Sequence, residues 1–349
     1  MTEAKFILSK QKIIEQYIKL KEIGLKVSYS YKTNHEVGKV LQDLQETKDC
    51  EFSIHAFEEI QDIKDKSKIC FFTHAESEEE LRKLLQVGIR NFVVDNEVDF
   101  RRLLRVIEEE KVKINLNLRM KFQEHRVGTG KYFVYGMPSI KVNALIQEIK
   151  NNLFVDKIGV HIHRKSQNTS EWNIKQELED SISDETLKRI NVINFGGGLP
   201  IEYRSYNGQA NNYIFEKLEE AVEWLKEKGI EVYIEPGRFI AGPAIKLETE
   251  IIQIYDNKII VNTTIYNCAL DTILTGTKML IEGELLEGED GEDYLIKGNS
   301  PTRDDIFRYK VKLHKDIKVG DKIVFLNAGA YNYTTDFFGY KKLKTEIKD

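Results

Sequence analysis

The chain has 349 residues, 41% hydrophobic and 31% charged, with a formal net charge of -5. That length allows one large domain plus a smaller one, and the composition is that of a globular protein rather than a disordered one. Lys and Glu are interspersed, which excludes a dedicated polyanion binder and argues against nucleic-acid partners.

The opening segment MTEAKFILSK lacks the apolar core of a signal peptide, and no run reaches the ~20 apolar residues of a spanning helix. Cys50, Cys70 and Cys268 show no CxxC spacing, so reduced thiols, no metal site and a cytoplasmic location are expected.

From Val27 onward, β-rich runs alternate with runs of helical period. The strand candidates are VSYSYK, EFSIH, KICFFT, NFVVD, KINLNLR, KIGVHIH, INVINF and EVYIEP. Between them, stretches such as EEELRKLLQVG (78–88), DFRRLLRVIEEE (99–110) and YIFEKLEEAVEWLKEKG (213–229) place apolar residues three and four apart. Eight strands with helical crossovers predict an α/β fold, a (β/α)8 TIM-like barrel over residues 10–240. A doubly wound sheet is the alternative, but it more often has about six strands and a Gly-rich first turn. After Gly237 the runs AIKLETEIIQIY, KIIVNTTIY and DKIVFLNA alternate with turn signals (DN, EGEDGED, KVGD), predicting a C-terminal antiparallel β domain over residues 241–349 that also takes in residues 1–9.

Chemistry in a barrel sits where strands end on the C-terminal face. Lys32 in SYSYKTN (28–34) closes the first predicted strand. A lysine there is ordinarily a solvated tip, but one buried at a barrel mouth has a lowered pKa and can form a Schiff base with an aldehyde. NFGGGLP (194–200) follows the seventh strand, where a bare backbone can cradle a phosphate, and Arg238 can add a charge-assisted contact. Glu235 ends the eighth strand; its plain reading is a salt bridge, its functional one a carboxylate facing a pyridinium nitrogen. His163 in HIHRKSQ (161–167) ends the sixth, where an imidazole could stack on an aromatic ring. GTGK (128–131) is read as an ordinary loop, because the first glycine of a phosphate-loop motif would fall on His125 and Tyr132 replaces Ser/Thr.

Together these motifs resemble the fold-type III pyridoxal-phosphate decarboxylases, the ornithine/diaminopimelate/arginine decarboxylase group related to alanine racemase. SYSYKTN is similar to that family's YAVKAN, HIHRKSQ to HxGSQ, and NFGGGLP, EPGR and NAGAY (327–331) to its phosphate and ring segments. The resemblance implies pyridoxal 5'-phosphate as cofactor, Lys32 as its Schiff-base lysine and His163 stacked on the ring. It further implies Ser166, Gly197, Gly198, Arg238 and Tyr331 at the phosphate, Glu235 at the pyridine nitrogen and Arg119 near the cofactor. It also implies a homodimer with shared active sites, and a role in amino-acid metabolism, in polyamine or siderophore biosynthesis.

Three positions depart from the family pattern. SPTRDD (300–305) stands where the family has GPTCDS, with Arg303 at the cysteine and Asp304 next to it. VNTT puts Thr263 at the aspartate that holds a distal ammonium, and Ser53 replaces an aspartate after the second strand. Arginine is a poor proton donor and a good carboxylate clamp. The expectation is therefore an α-decarboxylase for a diamino acid or related substrate with a neutral or acidic distal group, Arg303, Asp304 and Thr263 contacting it. A racemase of the same fold is the alternative, against which Glu235 argues; a catalytically inactive PLP-binding regulatory homologue is a third reading.

Overall fold

The structure is a computed structural model describing residues 2–122, 135–332, 334, 335 and 337–349. The GTGK segment read above as a loop lies outside them. In chain order the strands are β1 (Lys5–Ser9), β2 (Lys26–Ser30), β3 (Glu51–Ile54), β4 (Ile69–Thr73), β5 (Asn91–Val94), β6 (Ile114–Lys121) and β7 (Met137–Pro138). They continue with β8 (Val155–Ile162), β9 (Val192–Asn194), β10 (Glu231–Ile234), β11 (Ile245–Tyr255), β12 (Lys258–Val261) and β13 (Leu280–Ile281). The last four are β14 (Glu292–Lys297), β15 (Ile306–Leu313), β16 (Lys322–Leu326) and β17 (Lys344–Lys348).

Eight of these close into a parallel barrel in the order β2-β3-β4-β5-β6-β8-β9-β10, with β10 pairing back onto β2. Each falls on one of the eight β-rich runs, so the (β/α)8 expectation is met. Such strands are covered on both faces, which is why NFVV or ICFFT reads as almost continuously apolar. The outer helices follow the helical-period runs. In Glu78–Gln86, Ser77 and Glu80 form a capping box and Leu81, Leu84 and Leu85 face the core. In Glu97–Glu110, Asn96 caps the first turn and Phe100, Leu103, Leu104 and Ile107 are buried.

The second sheet, β13-β16-β11-β12-β14-β15 with β1 and β17 at its flank, corrects one expectation. It is mixed, not antiparallel: β12 pairs with β14 and β1 with β17 in parallel. Turn signals after the barrel mark hairpins, but they carry nothing about strands joined across long connections, and the β1–β17 pairing joins the two ends of the chain. Two short helices, Ile265–Cys268 and Leu270–Thr275, also interrupt this region.

The two sheets meet at the barrel mouth. Asn34 Oδ1 accepts from Val37 N at 3.2 Å, capping the helix His35–Asp43, while its Nδ2 donates to Gly329 O at 2.8 Å. Tyr331 N donates to Thr33 O at 3.0 Å. The turn that carries Lys32 is thus tied, through Thr33 and Asn34, to the segment after β16.

Candidate active site at the barrel mouth

A cavity of about 550 Å³ opens at the carboxyl ends of the barrel strands. Lys32, Arg119, His163, Ser166, Gly197, Gly198, Glu235, Arg238 and Tyr331, far apart in sequence, all line it. Lys32 sits on the 3-10 turn just past β2, His163 just past β8 and Glu235 just past β10, each aimed by the end of a rigid strand.

Glu235 is buried and surrounded by donors. Its Oε1 accepts from Ser53 Oγ and Asn194 Nδ2, both at 2.9 Å, and its Oε2 lies 3.0 Å from His161 Nε2. Burial pushes the carboxyl up, but the imidazoles of His161 and His55 and the Ser53 hydroxyl outweigh it and hold it down to about 2. His163 is pushed down to about 3 by burial, then by the Arg119 guanidinium, so its ring is neutral where it lines the cavity. Its Nδ1 accepts from Gly197 N at 3.2 Å. Lys32 opens onto solvent, yet the protein wall around it lowers its ammonium pKa; Glu235 opposes that fall and Arg119 adds to it.

Arg238, which lines the same cavity, is 5% exposed, and four of its five N–H donors are engaged. Its guanidinium holds Asp271 through two contacts of 2.6 and 3.0 Å, donates to Tyr203 Oη at 2.8 Å and Ser166 Oγ at 3.2 Å, and lies 5.3 Å from the Tyr331 ring centre. Gly196 and Gly198 have φ of +65° and +110°, and a Cβ on Gly197 would stand 2.8 Å from Glu235 O. Side chains are excluded from this loop, which leaves its bare backbone beside Arg238 and Ser166.

These observations test the implied cofactor. A primary amine, a buried anionic carboxylate, a neutral imidazole and a glycine cradle beside an arginine bracket one cavity of a size typical for cofactors. That donor set fits pyridoxal phosphate, which asks for an amine, an acceptor for a ring N–H and a cradle for a phosphate.

Other sequence-predicted residues lie elsewhere. Arg303 and Asp304 have side chains 96% and 83% exposed, and Thr263 is buried in another cleft lined also by Asn267 and Tyr340. None of the three lines the Lys32 cavity of the same chain. Conversely, His161, His55, Phe72, Asp95 and Tyr135 line the cavity without having been singled out, and Asp271 backs Arg238. Only His161 had a sequence signal: in HIH it shares a strand face with His163, since strand side chains repeat every second residue. Asp95 holds Arg119 at 3.4 Å, and His55 stacks on Phe72 with ring centres 4.5 Å apart.

The family model described as pyridoxal-dependent decarboxylase, pyridoxal binding domain, matches residues 9–242. A diaminopimelate decarboxylase of Vibrio cholerae is 28% identical over 200 residues, covering 54% of this chain and 47% of that protein. A carboxynorspermidine/carboxyspermidine decarboxylase of Campylobacter jejuni is 28% identical over 150 residues, 39% of this chain and 37% of that one. The chain thus spans half or less of the length of these two relatives. The crystal structure of diaminopimelate decarboxylase from Helicobacter pylori with L-lysine superimposes with a TM-score of 0.81 at 19% identity, covering 100% of this chain and 92% of that one, and shares its fold.

Proposed function

This chain belongs to the pyridoxal-dependent decarboxylases, and we propose that it is a cytoplasmic enzyme removing the α-carboxylate of a diamino acid or related substrate whose distal group is neutral or acidic. The observation that carries the reading is the convergence of Lys32 and Glu235 on one cavity, with the glycine loop and Arg238 beside them.

When bound, pyridoxal phosphate supplies an electron sink for the bonding pair left behind as carbon dioxide departs. The residues of the chain then divide the work. Lys32, its pKa lowered by the protein around it, would hold the cofactor's aldehyde through its neutral amine. Glu235, as an anion, would accept the ring N–H and keep that nitrogen protonated. His163, uncharged, would cover a ring face without competing for the proton. Ser166, Arg238 and the N–H groups of the glycine loop would hold the phosphate. A racemase is not favoured, because the group facing the ring nitrogen would be a carboxylate and the family match is to decarboxylases.

The distal-group assignment rests on Arg303 standing where the family has a cysteine and Thr263 where it has an aspartate. Both lie away from the Lys32 cavity of their own chain, so they act on substrate only if a second copy brings them to it; a homodimer with shared sites is part of the proposal. Relatives named for diaminopimelate and for carboxylated polyamines agree in substrate class. The test is carbon dioxide release from a panel of basic, acidic and conjugated diamino acids. Acidic or conjugated members are expected to turn over faster than ornithine or lysine, and Arg303→Ala to erase the preference. Preferred turnover of unmodified ornithine, retained in Arg303→Ala, overturns the distal assignment.

A further inference from the structure

Glu235 draws its donors from three separate barrel strands: Ser53 from β3, Asn194 from β9 and His161 from β8. The donor directions are fixed. Asn194 Oδ1 accepts from Gly196 N at 2.9 Å, so its amide NH₂ must face the carboxylate. Ser28 Oγ lies 2.8 Å from Ser53 Oγ and can donate to it, leaving the Ser53 proton for Glu235. His161 is 1% exposed, packed edge to face against Phe72, and its Nδ1 has no partner among the described residues. Among the described residues the only acceptor its ring meets is the carboxylate at Nε2, so its proton belongs there.

A carboxylate offers about four lone-pair positions, two on each oxygen. Oε1 has both filled, by Ser53 and Asn194; Oε2 has one filled, by His161. The described residues leave one position, on the oxygen beside the imidazole. Without donors, a carboxyl this deeply buried takes up a proton. It would then offer O–H to a pyridine nitrogen, leaving that nitrogen unprotonated and the ring a weaker electron sink.

We propose that His161, with Ser53 and Asn194, is a positioning residue that fixes Glu235 as an anion with a single Oε2 lone pair directed to the ring N–H of pyridoxal phosphate. This rests on the function proposed above and extends it to three residues outside the predicted set of site residues. His161 touches Glu235 and acts through it.

The test uses full-length apo-protein titrated with ring-¹⁵N pyridoxal phosphate, reading affinity by absorbance and ring protonation by the ¹⁵N chemical shift. His161→Phe keeps an aromatic ring against Phe72 but removes the donor; His161→Gln restores an amide donor. His161→Phe is expected to bind roughly ten- to a hundredfold more weakly, the worth of one hydrogen bond to a charged group, with the ¹⁵N shift moved toward neutral pyridine. His161→Gln is expected to stay within about threefold of wild type with the ring protonated, since one donor replaces another. Ser53→Ala, which opens one Oε1 position, should move the shift in the same direction and decides the matter should His161→Phe not fold. Wild-type affinity and a protonated ring in both His161→Phe and Ser53→Ala overturn this inference alone. A wild-type protein whose cofactor absorbance does not depend on Lys32 overturns the functional reading, and this inference with it.

Discussion

Replacing Asp271 with asparagine strips the countercharge from Arg238 while keeping the shape of the pair. The two side chains are 4% and 2% exposed, and their bidentate contacts of 2.6 and 3.0 Å link the end of the barrel to a helix that follows it. Removing one partner of a buried ion pair leaves an uncompensated charge and costs about 3–5 kcal/mol. With an unfolding entropy of about 2.1 cal/mol/K per residue, a 349-residue chain melting as one unit loses about 1 °C for each 0.7 kcal/mol. The apo-protein should therefore melt about 4–7 °C lower in Asp271→Asn by differential scanning calorimetry. Two further readouts separate charge from packing. Asp271→Asn/Arg238→Gln carries no uncompensated charge and should regain at least half of the loss. Saturating inorganic phosphate should raise the melting temperature of Asp271→Asn more than that of wild type, because an anion then takes the place of the missing carboxylate. A single variant melting within a degree of wild type, or a double variant no better than the single one, refutes the reasoning.

Acid stability carries two signatures. Glu235 titrates at about 2 in the folded chain against 4.5 for the free carboxyl, so its stabilisation is present above pH 4.5 and is lost as pH falls toward 2. Glu235→Gln should flatten urea-denaturation midpoints of the apo-protein in that window. His163 is lowered to about 3 from 6.5, so the unfolded chain gains its proton first and stability drains as pH falls from 6.5; His163→Asn should remove that slope between pH 6.5 and 4. Asn34→Ala removes a helix cap and the bond to Gly329 O, and should cost about 2–3 kcal/mol by urea denaturation. Gly197→Ala places a Cβ 2.8 Å from Glu235 O and should weaken pyridoxal phosphate binding roughly five- to a hundredfold in an absorbance titration.

The barrel was legible because apolar β-rich runs alternate with charged runs of helical period such as Glu78–Gln86 and Glu97–Glu110, so period and punctuation agree. The residues at strand ends were legible for the same reason: a lysine after SYSY or a glutamate before Pro-Gly interrupts an apolar run where a barrel places chemistry. What escaped was pairing. Asp271 meets Arg238 across 33 positions and His161 meets Glu235 across 74, and neither pair leaves a local trace except the HIH alternation. The mixed second sheet escaped likewise, since hydrophobic alternation identifies a strand but not the direction of its neighbour. Arg303 and Thr263 stood out as departures from a pattern, which is information about type and not place; both lie outside the Lys32 cavity.

The two ends of the site are held by different means, and that makes them separable. The carboxylate end is built wholly from barrel strands: Ser53, Asn194 and His161 all reach Glu235 from inside the same closed sheet. The arginine end depends on Asp271, from the helix Leu270–Thr275 beyond the barrel, and on Tyr331 from the segment after β16. A perturbation at Asp271 should therefore alter the response to inorganic phosphate while leaving the ring nitrogen protonated, and one at His161 should do the reverse. If Asp271→Asn shifts the ¹⁵N resonance as far as His161→Phe does, the two ends are coupled through the cofactor or the loop, and the division of labour argued from the hydrogen bonds fails.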